Sequence, residues 1–182
     1  MARHDARAAL AESFHQTGEA AAANIGYYSE REFDFAPYEP LRGEMIELGR
    51  ACVHADHRNF NLLHLLWRGI ANYALEHNAR FLVGCSSLTS QDPSEGMAMY
   101  RQLGDKFLVT SEWRTVPHPP FRCDVDLAGS AGGPPKLMRA YLAIGAKLCG
   151  PPALDREFGT IDFLTLLDLH ALPAIVRGHF FG

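Results

Sequence analysis

The chain has 182 residues, a formal net charge of −4 and 47% hydrophobic residues. That length suits one domain with enough apolar residues to build a core, and the acidic balance argues against a general nucleic-acid binder. Cys52, Cys85, Cys123 and Cys149 show no CxxC spacing, the histidines form no HExxH, and no apolar run reaches the ~18 residues of a membrane span. The chain therefore reads as a reduced, cytoplasmic protein without signal peptide, disulfide framework or metal site.

Residues 1–25 are Ala-rich and predict a loose arm, with a helix over roughly Ala6–Gln16 broken near Gly18. Residues 26–182 read as the domain proper. Its first segment, GYYSEREFDFAPYEP (Gly26–Pro40), predicts an irregular loop with one helical turn. The aromatics there either pin the loop onto a core or line a pocket. The stretch EMIELGRACVHADHRNFNLLHLL, Glu44–Leu66, then predicts a strand, a polar turn and a helix start. Gly49 inside the strand suggests a bulge or a close backbone approach.

Glu47 and Arg50 are charged residues in an otherwise apolar strand. Three apart, they point to opposite faces unless a bulge at Gly49 shifts the phase. They fit either an amine-handling carboxylate beside a positioning arginine or a buried structural ion pair. Asn59 or Asn61 is suited to cap the following helix, whose free first-turn amides offer an anion site.

A helix over about Leu62–His77 follows, with Leu62, Leu66, Ile70 and Tyr73 at helical spacing and Asn78 as its stop. RFLVGCSSL, Arg80–Leu88, reads as a buried strand, so strand, helix and strand make a parallel crossover unit. Ligands in such sheets bind beyond the carboxyl ends of the strands, which brings Cys52–His54, Arg58 and Cys85–Ser87 to one mouth. Beyond it the pattern predicts a helix over Ser94–Leu103 ended by Gly104, strands over Lys106–Pro117 and Phe121–Leu127, and a helix from Pro135 to about Leu148. A strand over Ile161–Leu169 and a helical turn over Leu172–Arg177 complete the chain.

Several separated motifs, GYYSEREFDF, ELGRACVHADHR with LLHLLWRGIANY, FLVGCSSL and PPKLMRAYLAIGAKLCGPPALDREFGTIDFLTLL, resemble the GNAT superfamily of acyltransferases. Within it they resemble the hemolysin-like branch, which includes enzymes that acylate ornithine at the start of ornithine-lipid synthesis. The resemblance covers roughly residues 19–177. It implies an α/β fold, a GNAT-like mixed sheet flanked by helices and truncated at its N-terminal edge, because family members begin with further elements ahead of the matched part. That edge is covered by a second copy in a homodimer, covered by the N-terminal arm, or left bare by a shortened gene.

The implied reaction moves a (3-hydroxy)acyl chain from a thioester to the α-amino group of an amino acid, ornithine foremost. The alternatives are an N-acyl amino acid synthase with another acceptor and an inactive remnant that serves as an interaction module. Glu47 is the candidate base, with Arg50 holding it or the acceptor carboxylate. Amides beside Cys52, Val53 and His54 would bond the oxyanion, although His54 is equally a satisfied core histidine. Arg58, Asn59 and the amides of Asn61, Leu62 and Leu63 would hold the phosphate arm.

The family's usual CoA loop carries small residues that this chain lacks at Arg58–Leu63, which favours the single phosphodiester of a phosphopantetheine arm on acyl carrier protein over acyl-CoA. Tyr100, in AMYRQLG, corresponds to a tyrosine that protonates the leaving thiolate, or is a core-facing aromatic. Ser86 is a candidate substrate contact at the mouth. Asp155 is a contact to a cationic acceptor or a turn cap, and Cys85 reads as a small buried hydrophobe. Arg139 and Lys147, expected with Tyr141 on one helix, would meet an acidic carrier protein or lipid head groups. The apolar stretch Phe163–Phe181 fits peripheral membrane contact or a core strand with a tail.

Overall fold

In the computed structural model, residues 15–17, 26–49, 60–125 and 132–181 are described, the side chains of 15–17, 60–64 and 179–181 excepted. Their strands are β1 (His15–Thr17), β2 (Met45–Leu48), β3 (Phe81–Leu88), β4 (Lys147–Leu148), β5 (Ala153–Asp155) and β6 (Thr160–Asp168). They form one mixed sheet in the order β1-β2-β3-β6-β4, with β5 joining β6 outside that path. The β2–β3 pair is parallel and all the others are antiparallel. The helices are α1 (Phe60–Glu76), α2 (Pro93–Phe107), α3 (Lys136–Ala143) and α4 (Ala174–Phe181).

The two faces of the sheet are covered differently. Strand alternation sends Ile46, Leu82, Phe163 and Leu167 to one side, where they meet Ala74 of α1, Met99 and Leu103 of α2 and Met138 and Leu142 of α3. Met45, Phe81, Val83, Leu164 and Leu166 point to the other side, where among the described residues no helix longer than a few turns of 3₁₀ packs on them. There the aromatic segment 26–44 forms the cover, with Tyr27, Phe33, Phe35 and Tyr38 all buried. Most of these aromatics therefore pin the loop to the core. Tyr38 also closes it from outside, donating its hydroxyl to the Trp113 carbonyl at 2.8 Å.

The crossover β2–α1–β3 follows its pattern closely. Asn78 takes the left-handed conformation (φ 51°), and Ala79 N donates to Ala74 O at 2.8 Å, so the helix ends in a bond across its last turn. Across the sheet, β1 pairs with β2 through His15↔Leu48 to Thr17↔Ile46. The N-terminal arm thus supplies the outer neighbour of β2. His15 and Gln16, expected at the end of a helix, are strand.

The stretch between α2 and α3 departs most from expectation. α2 runs through Gly104 to Phe107, because Leu103, Phe107 and Leu108 pack on the helical side of the sheet and the helix gains by continuing. Among the described residues, which stop at 125 and resume at 132, the strands expected over 106–117 and 121–127 do not form. Instead Leu108, Pro117 and Arg122 make isolated bridges, and Val109 N and Thr115 N donate singly to Leu148 O and Cys149 O, each at 2.9 Å. Three prolines in Pro117–Pro120 remove the donors a ladder needs. The helix expected to reach Leu148 stops at Ala143, because Gly145 turns the chain at φ 110° and Lys147 and Leu148 become β4. Lys147 is therefore on a strand and not on the helix of Arg139.

Two glycines should respond in opposite ways to alanine. A Cβ on Gly104 would meet only Leu108 Cδ1 at 3.8 Å, whereas one on Gly150 would lie 2.0 Å from the Thr115 carbonyl oxygen. Gly104→Ala is expected to stabilise the fold by up to about 1 kcal/mol through helix propensity. Gly150→Ala should cost roughly 1–3 kcal/mol, because backbone must move. Urea midpoints of the two variants, read against the parent, check both signs.

Candidate functional site

The central feature is a fork in the sheet. The β2–β3 ladder ends at Glu47↔Val83, while β3 runs on to Leu88 paired, among the described residues, only with β6. Gly84 sits in the crotch, where a Cβ would lie 2.6 Å from the Leu48 carbonyl oxygen. Any larger residue would push the strands apart at this point. A cavity of about 360 Å³ occupies the fork, and its wall draws on both faces of the sheet. On the helical side it is apolar: Leu82, Leu167, Met138, Trp67 and Tyr141, the last two rings edge-to-face at 5.6 Å. On the other side it meets Tyr28, Ser29, Glu47, Cys85, Phe158 and Asp162.

Glu47 is 3% exposed, and that remainder faces the cavity. Its Oε2 accepts from Tyr28 N at 2.6 Å, and its Oε1 accepts from Ser29 N at 2.8 Å and Ser29 Oγ at 2.6 Å. The carboxylate thus caps the 3₁₀ turn Tyr28–Arg31 from a different strand. A carboxylate offers about four acceptor sites, so roughly one remains for a ligand or water.

A second acidic group lies beside the first. Glu32, on the loop, and Asp162, on β6, bring carboxylate oxygens within 4.8 Å of each other and of Cys85 Sγ. Glu32 is buried, shares a hydrogen bond with Asp155, and has no hydrogen-bond partner for its Oε2. Burial, then the charges of Asp162 and Asp155, push its carboxyl up to about 8. Burial, with Asp162 and Glu32 adding to it, also raises the Cys85 thiol well above its ordinary value. A thiol that keeps its proton is a poor metal ligand and a poor nucleophile. Two carboxyls and a neutral thiol are therefore better matched to a proton or an ammonium than to a transition metal.

Asp155 is buried, and its Oδ1 accepts from Glu157 N at 2.8 Å and Phe158 N at 3.0 Å. It thus caps the β5–β6 turn and stands behind Glu32, off the cavity wall. Ser86 is buried on the wall, its Oγ 3.5 Å from Thr165 Oγ1. Tyr100 lies elsewhere, half-buried on α2 against the cluster of Met99, Leu103 and Phe163, and α2 gives the cavity no wall. Arg50, Cys52, Val53, His54, Arg58 and Asn59 fall outside the described residues, and of Asn61, Leu62 and Leu63 only the helical backbone is described. α1 begins at Phe60, directly after Asn59.

Sequence reasoning passed over Glu32 and Asp162. The signal for Asp162 was the one used for Glu47, a carboxylate inside an apolar run, TIDFLTLL. Glu32 carried none, being one of three alternating acids in EREFD.

Residues 9–68 match the acetyltransferase (GNAT) domain family. The chain is 29% identical over 174 residues to an L-ornithine N(alpha)-acyltransferase of Agrobacterium fabrum, covering 90% of this chain and 59% of that protein. It is 30% identical over 158 residues to the protein of the same name from Rhodobacter capsulatus, covering 83% and 61%. The chain is thus similar to the GNAT superfamily. It spans about three-fifths of the length of these curated relatives. No solved structure matches it. The family match ends in α1, whereas Asp162 and Cys85 lie beyond it. No helix among the described residues is long and apolar enough to cross a membrane.

The raised Glu32 carboxyl makes a stability prediction. Between its ordinary value of 4.5 and about 8 the folded chain holds a proton that the unfolded chain has released. Stability therefore falls as pH rises across that window, by at most about 1.4 kcal/mol per pH unit. Glu32→Gln cannot ionise and should flatten this contribution. Urea midpoints from pH 5 to 8 test it, and a slope unchanged in Glu32→Gln would place the proton on another group.

Proposed function

We propose that this chain is the transfer unit of an N-acyltransferase that moves a (3-hydroxy)acyl chain from acyl carrier protein to the α-amino group of an amino acid, L-ornithine first among acceptors. The observation that carries the reading is the fork: one cavity, apolar on the helical side and acidic on the other, with Glu47 on its wall. The names of the relatives support the acceptor.

The chemistry follows from the parts. Past Val83 the β2-facing edge of β3 has no strand partner among the described residues, so its peptide groups are open to the amides of a pantetheine arm. The apolar wall of Leu82, Leu167 and Met138 suits an acyl chain. The amine attacks the thioester carbonyl, loses a proton, and the thiolate departs. Glu47, fixed by three hydrogen bonds, would take that proton directly or through a water at its remaining acceptor site. α3 lines the mouth with Leu137, half exposed, and presents Lys136 and Arg139 to solvent. Basic residues beside an apolar entrance fit an acidic carrier protein. That charge pattern, with the absence of the usual small residues from the sequence Arg58–Leu63, favours the phosphopantetheine donor over acyl-CoA.

The test is transfer itself. Purified chain, 3-hydroxyacyl carrier protein and L-ornithine should give N-acylornithine by mass spectrometry, faster than with the matching CoA thioester. Glu47→Gln keeps the side chain's shape and should lower the rate by about 100-fold or more, with the circular dichroism of the fold retained. Undiminished turnover would remove Glu47 from the reaction. A folded chain that binds carrier protein and acylates no amino acid would establish the inactive remnant.

A further inference from the structure

The apolar half of the cavity runs from an exposed end to a buried one. At the exposed end Leu137, at the start of α3, is 51% exposed. At the other, Leu82 and Leu167 are cross-strand partners on the helical side of the sheet, and they are buried together with Ala146. Beyond that end lies a second hollow of about 10 Å³, walled by Ile70 of α1, Ile144, Leu172 and Val176 of α4. Trp67, Leu82 and Leu167 line both spaces. The two leucines belong to the sheet and floor both. Trp67 comes from α1, one turn before Ile70, so its indole is the partition between the two spaces. Tyr141 of α3 lines the larger space alone and meets the indole edge-to-face at 5.6 Å from that side.

We propose that Trp67 is the end-stop for the donor's acyl chain and fixes the longest chain that the site accepts. This rests on the donor being an acyl thioester, as proposed above. A chain whose thioester lies at the fork beside Glu47 has its apolar end on the helical side, because the carboxylates of Glu47 and Asp162 line the other. It follows the leucine floor until it meets the indole. Apart from the indole, every described residue that lines the hollow behind it is aliphatic. The far side of the partition thus has the same chemistry as the near side, and a chain end that reached it would gain aliphatic contact.

The size of the effect follows from the geometry. Removing the indole joins the cavity of about 360 Å³ to the hollow and adds the volume the ring occupied. An aromatic ring is roughly 3.5 Å thick, about the length of two to three methylenes of an extended chain. Each methylene buried against aliphatic walls is worth about fourfold in affinity. A partition that yields therefore changes which chain binds best, while Glu47 and the fork, on the sheet's other strands and face, stay as they are.

Pantetheine thioethers with straight alkyl chains cannot be transferred, so they report binding alone. Titrated calorimetrically into the full chain below their micelle concentrations, they should gain about fourfold in affinity per added methylene until the chain end meets Trp67, and then gain nothing. Trp67→Ala should move that plateau to chains longer by about two to three carbons. Adding Val176→Phe, which fills the hollow from α4, should move it back, a reversal that general loosening of the fold would not give. Trp67→Leu, the milder change where Trp67→Ala does not fold, should shift the plateau less and in the same direction. A plateau at the parent's chain length in a folded Trp67 variant, or a parent that binds short and long thioethers alike, would overturn the end-stop. Transfer assays separate the two proposals. N-acylornithine formed with an unchanged chain-length profile in Trp67→Ala would sink the end-stop and leave the transferase. A shifted plateau in a chain that acylates no amino acid would keep the end-stop and sink the transferase.

Discussion

The structure depends on one carboxylate that holds two things at once. Glu47 lies on the last ladder pair of β2 and β3, and the same side chain accepts both leading amides of the loop turn at Tyr28 and Ser29. Where the strands part, the sheet loses its own hydrogen bonds, and unsatisfied backbone is costly inside a protein. Glu47 satisfies part of the covering layer at that place and leaves the gap open. Gly84 contributes from the other strand by letting the Leu48 carbonyl come close without a side chain between them. The fork is thus held open by polar bonds on one side and by an absent side chain on the other.

The covering layer has a matching logic. Segment 26–44 has little regular structure, so its position must come from side chains. Tyr27, Phe35 and Tyr38 stack in sequence, with ring centroids 5.6 and 5.2 Å apart, and bury against Met45 and Phe81. Arg42 ties the far end by ion pairs to Glu30 and Glu39. Once the aromatics fix the loop, Glu32 is carried into the sheet-facing layer beside Asp162. The position of a buried carboxyl that holds its proton is therefore a consequence of aromatic packing several residues away.

The crossover was legible in the sequence because it relies on local signals: period-3.6 apolar residues in α1, an Asn that tolerates the left-handed conformation, and a short apolar run for β3. The helix and strand ends fell within a few residues of expectation. The stretch 106–127 was misread because alternation there reflects contact with an edge and not membership of a sheet. Val109 and Thr115 each bond once to the β4 edge, and the prolines prevent more. Gly104 misled for a related reason: a glycine in a helix is a stop only where the residues beyond it have nothing to bury, and Phe107 and Leu108 do. At the site, Glu47 announced itself as a charge in an apolar strand, but its partners did not, since Tyr28 and Ser29 serve through backbone amides that every residue has. The pairing of Glu32 with Asp162 is a contact across 130 positions of sequence and needed the fold to appear.

The acidity of the cavity also decides what kind of transfer it can support. An acyl-enzyme route would need an activated nucleophile on the wall, and Cys85, Ser86 and Ser29 are three of the described wall residues that could serve. The same field that raises Glu32 keeps the Cys85 thiol protonated, since a thiolate there would face Asp162 as well as burial. Ser86 has the Thr165 hydroxyl as its neighbour, which is no base. Ser29 already donates its proton to Glu47, but its oxygen lies against a carboxylate that opposes further negative charge. In the proposed reaction a positively charged amine is favoured in this environment, and it becomes the nucleophile by giving up a proton to a carboxylate. For the proposed transferase, the electrostatics favour direct attack by the acceptor on the thioester, with the protein supplying position and a place for the proton.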